Sequence, residues 1–429
     1  MHIAIIGSGP SAFYTCQGLL NSIEGATIDI IEKLPAPFGL VRYGVAPDHQ
    51  KTKNIIKLFS KILDNEKVSF FGNIDVGKDV SLEFISNNYD AVVLASGAEN
   101  DKKLSIPGES KEGVYGSSQF VGWYNGIPEY RKLEPDLNKK NVTIIGNGNV
   151  ALDCARLLAK KRDELFNSDI TDYSLNVLTR SFIKNIYVIG RRSPLESKFT
   201  IAELREIGNL ADFNPVIEYP LDLLEKMTTI SDLDTRIKKN LELLIEYKKS
   251  KDLKDNKIIF KFLSSPVEIM GDEKVEKIKL RKNIIEGNKL RETSDHEEIE
   301  TGLVISAIGY NTNKINSLPL DKYESYYLND DGYIDKNIYV TGWAASNSVG
   351  VIGTNKAAAQ KVSARISQEI TSNKSTSNEL QKFLKEKNKR YVTKEDWLKI
   401  DKKEVADASE NFVRKKTVDI EGIFKYLDT

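Results

Sequence analysis

The sequence predicts an α/β chain of two doubly wound units, one inserted in the other, and three observations carry that expectation. A glycine fingerprint, Gly7-Ser8-Gly9-Pro10-Ser11-Ala12, follows the apolar run His2-Ile3-Ala4-Ile5-Ile6. A second fingerprint, Gly146-Asn147-Gly148-Asn149-Val150-Ala151, follows Asn141-Val142-Thr143-Ile144-Ile145. Each reads as strand, tight turn and helix N-terminus, which sets backbone N–H groups and a helix dipole against a pyrophosphate. The third observation is the set of short, unbroken, β-branched runs such as Ala91-Val92-Val93-Leu94-Ala95, the pattern of a parallel strand covered on both faces. The fold class is therefore α/β with two Rossmann-like dinucleotide-binding domains.

Taken in order, residues 1 to 106 alternate strand and helix patterns. The first fingerprint unit ends its second strand at Thr27-Ile28-Asp29-Ile30-Ile31-Glu32, where the Glu32 carboxylate is placed to accept hydrogen bonds from ribose hydroxyls. The strand Ala91 to Ala95 closes on Ser96-Gly97, and residues 107 to 140 turn to Pro, Gly and aromatics, a crossover. The second unit ends its second strand at Asn185-Ile186-Tyr187-Val188-Ile189-Gly190-Arg191-Arg192. Two guanidiniums there attract a 2′-phosphate and can clamp it bidentately. The first site thus reads as built for FAD and the second for NADP(H), a pairing that means electron transfer. Between Met227 and Leu290 helical and then hairpin-like patterns form an expected excursion of the second domain. The run Leu303-Val304-Ile305-Ser306-Ala307-Ile308 ends in Gly309-Tyr310, echoing the strand end at Gly97. Asn337-Ile338-Tyr339-Val340-Thr341-Gly342-Trp343 is a last strand assigned back to the first domain. The expected division is 1–106 with 331–429 for FAD and 107–330 for NADP(H), a discontinuity expected at fold level. The tail from about residue 370 is rich in Lys and Glu and expected to be helical.

Composition narrows the class. The 429 residues carry 62 Lys+Arg against 62 Asp+Glu, so no global charge points to nucleic acid or a membrane surface. No apolar run approaches the roughly 20 residues that span a bilayer. The first strand starts at His2, leaving no room for a leader, and a cytoplasmic protein is expected. The two cysteines, Cys16 and Cys154, each follow a fingerprint, and no Cys-x-x-Cys occurs. Thiol–disulfide chemistry within this chain is thereby excluded, as is a resident iron–sulfur cluster, which takes about four cysteine ligands. Electrons must leave the flavin for something outside the chain. His2 and His296 are assigned no role.

The loop Pro35-Ala36-Pro37-Phe38-Gly39-Leu40-Val41-Arg42-Tyr43-Gly44-Val45-Ala46-Pro47-Asp48-His49 resembles the adrenodoxin reductase-type family of ferredoxin–NADP(+) reductases. So do Gly146 to Asp153, Gly190-Arg191-Arg192-Ser193-Pro194, Phe199-Thr200-Ile201-Ala202-Glu203-Leu204-Arg205 and Gly350-Val351-Ile352-Gly353-Thr354-Asn355, in the family's order along essentially the whole chain. The resemblance implies FAD contacts at Ser11, Glu32, Leu40, Val76, Trp343, Gly350, Val351 and Ile352, beside the fingerprint glycines Gly7 and Gly9. It implies NADP(H) contacts at Asn147, Gly148, Asn149, Val150, Arg191, Arg192, Glu203 and Gly350, with Gly146 opening the turn. His49 and Glu203 are the polar residues it places by the nicotinamide. His49 either relays a proton or makes a structural hydrogen bond that holds the loop after Pro47; Glu203 is expected to orient the carboxamide. One stretch departs from the family: relatives usually continue Gly-Trp with a basic residue and Gly-Pro, whereas this chain has Ala344-Ala345-Ser346-Asn347-Ser348-Val349. That change is expected to alter how tightly the loop closes over the flavin.

The implied partner is a ferredoxin-type iron–sulfur protein, met transiently by a monomer, with a dimer as the alternative. Ferredoxins are acidic, so docking requires a local basic face. Residues 139 to 192 hold ten Lys/Arg against five Asp/Glu, and Arg205, Arg236, Lys238 and Lys239 add further candidates. Two other functions fit the motifs: the NADPH-oxidising flavoprotein subunit of a larger complex, similar to the small subunit of glutamate synthase, and a flavin-bound redox sensor. The first normally brings a cysteine-rich cluster domain that this sequence lacks.

Overall fold

The computed structural model describes every residue except 252–253, 288, 316–317, 348–351 and 372–377. Its first sheet has six strands in the order Tyr333–Asp335, Ile338–Val340, Ala91–Leu94, His2–Ile6, Thr27–Glu32 and Val68–Gly72. All neighbours run parallel except the edge strand Tyr333–Asp335. Ile338–Val340 arrives from the far end of the sequence to pair with Ala91–Leu94, as the final apolar run required. A continuous buried core of Ile3, Ile5, Phe13, Ile28, Ile30, Phe59 and Val93 lies on one face of this sheet. The other face is covered by a cluster that includes Ile315, Leu318, Leu320 and Tyr327.

The second sheet also has six strands, all parallel: Val114–Gly116, Leu303–Ser306, Asn141–Ile145, Asn185–Ile189, Asn256–Lys261 and Phe213–Glu218. Two of them differ from the reading of the sequence alone. The crossover region supplies an edge strand, Val114–Gly116, and the buried helix Ser117–Asn125. Asn256–Lys261, inside the supposed excursion, is an interior strand of this sheet, because Ile258 and Phe260 fill its core. Only the antiparallel meander Ser264–Met270, Lys277–Glu286 and Lys289–Glu300 stands outside it. The connections between the sheets run through a short ribbon in which Tyr310 pairs with Asp101 and Asn311 with Asn100.

The tail is helical, as its composition predicts, with helices Glu379–Glu386, Lys394–Ala406 and Ile420–Leu427. It straps the two sheets together. Val413 N–H donates to the Ser168 carbonyl and Asn167 N–H to the Asn411 carbonyl, while Trp397, Ile400, Ile423 and Phe424 pack into the first core. Among the described residues no helix is long and apolar enough to cross a membrane.

Candidate functional site

The two fingerprints take up the same geometry on their separate sheets. Gly7 N–H donates to the Ile31 carbonyl at 2.7 Å, and Gly146 N–H donates to the Ile189 carbonyl at 2.9 Å. Gly7 has φ +104°, and a Cβ there would lie 2.5 Å from the Ala95 carbonyl oxygen. Gly146, at φ +141°, would run into the Ala307 carbonyl in the same way. These first glycines exist because the turn crosses the end of the neighbouring strand with no room for a side chain. Gly9 and Gly148 are different: a Cβ on either would meet nothing within 4 Å. Each caps its helix, Pro10–Ser22 or Asn149–Ala159, and neither helix has a side-chain cap. The open space and the uncapped amides fit a pyrophosphate at both turns.

Around the first turn the chain folds back to build a cleft. Glu32 is buried and accepts from Ser8 N–H at 2.9 Å, Ser8 Oγ–H at 2.6 Å and Leu34 N–H at 2.9 Å. Burial pushes its carboxyl above the ordinary value, against those hydrogen bonds. Phe38 N–H donates to the Ser8 carbonyl, which lays the turn at Gly39 directly on Gly9. Leu40 follows with 41 % of its surface exposed, a large apolar side chain left open beside the phosphate turn. Ser11 Oγ–H donates to Asn355 Oδ1 at 3.2 Å, and the left-handed Gly342 passes against the same hydroxyl. Trp343 stacks on Tyr310 at 6.2 Å between ring centroids, and its buried Nε1–H has no acceptor among the described residues. An unpaired buried donor costs about 1–3 kcal/mol, so this indole fits a ligand acceptor. Ile352 starts the turn Ile352–Thr354 ahead of helix Asn355–Glu369. Val76 turns its side chain into the core with Ile31 and Phe71, leaving only its backbone for a ligand. Gly350 and Val351 lie outside the described residues, as do Ser348 and Val349 of the departing stretch.

At the second turn, Asn149 Oδ1 accepts from Thr200 N–H at 2.8 Å, and the Asn147 carbonyl accepts from Lys198 N–H at 2.8 Å. Asn147 Oδ1 is buried without a hydrogen-bond donor among the described residues. Val150 packs against the second core. Arg191 and Arg192 are exposed, and neither has a carboxylate partner among the described residues. Their backbone is nevertheless fixed: Asn283 Nδ2 donates to the Arg191 carbonyl at 3.0 Å and Leu263 N–H to the Arg192 carbonyl at 3.1 Å. Two unpaired guanidiniums on a rigid strand end fit a phosphate.

Between the turns lies a cluster of charge that the sequence left dispersed. Asp48 is gripped by Arg156 Nη1 and by Lys160 Nζ, the latter at 2.6 Å. Arg156, 1 % exposed, also binds Asp153 at 2.7 Å and Glu206 at 3.1 Å. His49 Nε2 meets Glu206 at 2.8 Å, with Glu203 at 3.9 Å and its Nδ1 4.0 Å from Asp153. The four carboxyl groups of Asp48, Asp153, Glu203 and Glu206 thus face three cations even with His49 protonated. Glu203 carries the surplus: its Oε2 is buried without a hydrogen-bond partner among the described residues, and burial followed by the Asp153 charge pushes its carboxyl up to about 7. Burial alone would lower His49; the Glu206 hydrogen bond, with Asp153 and Glu203, outweighs it and Arg156 and raises the imidazole above its ordinary value. His49, Glu203 and Glu206 hold their ligand atoms within 4.8 Å of one another, but Arg156 on Glu206 opposes a metal cation there.

Asp153, Arg156 and Glu206 had a usable signal. Asp153 with Arg156, and Glu203 with Glu206, are spaced i, i+3, which places each pair on one helix face. Arg156 also corrects the basic stretch from 139 to 192: it is buried in this cluster and unavailable to a partner. Arg205, Arg236, Lys238 and Lys239 are exposed.

Comparison with known proteins agrees with this geometry. The family model described as pyridine nucleotide-disulphide oxidoreductase matches residues 1–368. The chain is 40% identical over 377 residues to NADPH-ferredoxin reductase FprA of Mycobacterium tuberculosis strain H37Rv, covering 84% of this chain and 82% of that protein. The chain belongs to the adrenodoxin reductase-type family of pyridine nucleotide-disulphide oxidoreductases. A second member, the mitochondrial NADPH:adrenodoxin oxidoreductase of Arabidopsis thaliana, is 37% identical over 438 residues, covering 94% of this chain and 90% of its own. A solved member, M. tuberculosis FprA in complex with NADPH, superposes with TM-score 0.92 at 36% identity over 99% of this chain and 98% of its own. The family fold extends to thioredoxin reductase of T. acidophilum, which matches at TM-score 0.52 and 16% identity over 86% of this chain and 97% of that one, a likeness of fold alone.

Proposed function

We propose that this chain is an FAD-dependent ferredoxin–NADP(+) reductase, passing electrons from NADPH through FAD to a ferredoxin-type iron–sulfur protein. The observation that carries the reading is the pair of equivalent phosphate turns, one closed by the Glu32 carboxylate and the other by the free Arg191 and Arg192 guanidiniums. Bound FAD would supply the conversion of a two-electron hydride into single electrons, chemistry no side chain provides.

The protein's own residues do the rest. Ser11, Glu32, Leu40, Trp343 and Ile352 form the FAD-facing set, and Asn147, Gly148, Asn149, Val150, Arg191 and Arg192 the NADP(H)-facing set; Gly350 and Val351, assigned a role by the family resemblance, lie outside the described residues. Arg191 and Arg192 select the 2′-phosphate. Glu203, whose Oε2 has no hydrogen-bond partner among the described residues, is placed to accept from the nicotinamide carboxamide, and His49 holds a proton beside it. We place the domain junctions at the ribbon Asn100–Asp101 with Tyr310–Asn311, so that residues near 315–330 go with the FAD-binding unit into whose core Ile315 and Tyr327 pack. Arg205, Arg236, Lys238 and Lys239 offer the basic face for an acidic partner.

The experiment that tests this is NADPH-driven reduction of cytochrome c by the purified yellow protein, with and without a ferredoxin. Strong stimulation by ferredoxin is expected. Flavin reduction without stimulation would point instead to a subunit of a larger complex, and no flavin reduction by NADPH would overturn the proposal.

A further inference from the structure

The strand end that carries Arg191 and Arg192 is tied down residue by residue. Gly190 N–H donates to the Lys261 carbonyl at 2.7 Å, and the Gly190 carbonyl accepts from Ser264 N–H at 2.9 Å. The Arg192 carbonyl accepts from Leu263 N–H at 3.1 Å, which Leu263 presents from a left-handed turn at φ +53°. The Arg191 carbonyl differs from the other two. Its partner is a side chain, Asn283 Nδ2 at 3.0 Å, supplied by the meander strand Lys277–Glu286.

Packing alone does not explain an asparagine at 283. The residue is buried, while its neighbours Ile284 and Ile285 are 43 % and 38 % exposed, the reverse of what a strand gains by burying apolar surface. The reversal sits at a register irregularity: Arg281 pairs with His296, but Asn283 pairs with Glu292. Such a bulge re-aims a side chain. Thr293 Oγ1–H donates to the Lys282 carbonyl at 2.8 Å, and Asn283 N–H to the Leu263 carbonyl at 2.7 Å, so the bulge is held on both sides. A carbonyl only accepts, so the amide must turn its NH2 towards Arg191. The same Nδ2 donates to Ser265 Oγ at 2.8 Å, and Oδ1 is left buried with no donor among the described residues. An unpaired buried acceptor disfavours the folded state. Asparagine is therefore kept here for its donor, and the donor serves Arg191.

We propose that Asn283 is a positioning residue for coenzyme selection, holding from the meander the backbone from which the Arg191 and Arg192 guanidiniums project. This deepens the reading of that pair as the 2′-phosphate ligands and rests on it. The meander, which contributes no strand to either large sheet, thereby gains a part in choosing NADPH over NADH.

The test compares NADPH with NADH as reductants of the FAD-loaded protein. N283L keeps the volume of the side chain and removes the donor; N283A removes it without the bulk of leucine. In each, the ratio of kcat/KM for NADPH to that for NADH is expected to fall about five-fold, through KM for NADPH rather than kcat. In a chain already carrying R191A and R192A, the same substitutions are expected to leave the ratio where it was, because the groups they position are gone. An unchanged ratio in either variant, folded and FAD-retaining, would overturn the proposal and leave Arg191 and Arg192 as phosphate ligands. An equal loss with both coenzymes would mark a purely structural role and overturn it as well. If R191A with R192A does not itself lower the ratio, the 2′-phosphate reading falls and the role of Asn283 falls with it.

Discussion

Lys53 and Asp169, 116 residues apart, form a two-point ion pair at 2.6 and 2.9 Å deep between the two sheets. Lys416 of the C-terminal strap reaches the same carboxylate at 3.2 Å, and both ammonium groups share Asn125 Oδ1 as a further acceptor. The Asp169 N–H donates to the Pro47 carbonyl, two residues before His49. Asp169 thus ties together the helix Gln50–Lys53 and the tail through its carboxylate, and the loop that carries the candidate site through its backbone N–H. Asp169 is held down at about 2 in spite of burial, by Lys416 first and then Lys53.

Asp169→Asn is expected to destabilise the protein by about 3–5 kcal/mol, because it strands two buried ammonium groups. A carboxyl lowered on folding contributes stability that is complete above its unfolded value near 4 and is lost as pH falls through its folded value. The wild type should therefore lose stability from about pH 4 towards 2, and the variant should show a flatter acid limb over that window. Denaturant unfolding at stepped pH measures both.

The two glycine classes should separate cleanly. Gly7→Ala meets the Ala95 carbonyl at a left-handed φ and is expected to cost more than about 2 kcal/mol of fold stability. Gly9→Ala meets nothing, so the apoprotein should unfold at the wild-type midpoint while FAD binds about ten- to hundred-fold more weakly. Thermal unfolding with flavin fluorescence distinguishes the two.

Arg191→Ala with Arg192→Ala removes two exposed guanidiniums from a strand end whose backbone is held by Asn283 and Leu263. The fold should be unaffected. Preference for NADPH over NADH, read as the ratio of kcat/KM values, should fall about a hundred-fold or more, each charge-assisted bond contributing about 1.5–3 kcal/mol.

Glu203, pushed up to about 7 by burial and Asp153, gains its charge as pH rises through neutrality. As a carboxylate it accepts a carboxamide N–H better than as an acid, so NADPH affinity should increase across pH 7. Glu203→Gln should abolish that rise and weaken binding roughly ten-fold at pH 8. Equilibrium titration with NADP(+) between pH 6 and 8 checks it.

Much of the nucleotide machinery was legible because it is local. Gly7, Gly9 and Glu32 fall within one strand–helix–strand unit, as do Gly146, Gly148, Arg191 and Arg192, and the turn and strand-end chemistry of such a unit is written in residue type and spacing. The interior strand Asn256–Lys261 was misread because Asn256, Lys257 and Lys261 bracket its apolar centre with polar residues. The buried role of Arg156 was hidden for a related reason: counted along the chain, a cation looks the same whether it faces solvent or three carboxylates.

The sequence by itself determined two phosphate turns, the sign of charge beside each, and the absence of a thiol pair or cluster. Tertiary structure alone decided that Asp48 would neutralise Arg156, that Glu206 rather than Glu203 would hold His49, and that Lys53, Asp169 and Lys416 would meet. Periodicity and motif spacing describe neighbours along the chain, whereas burial of a charge is settled by partners more than a hundred residues away, which only the packed sheets bring within reach.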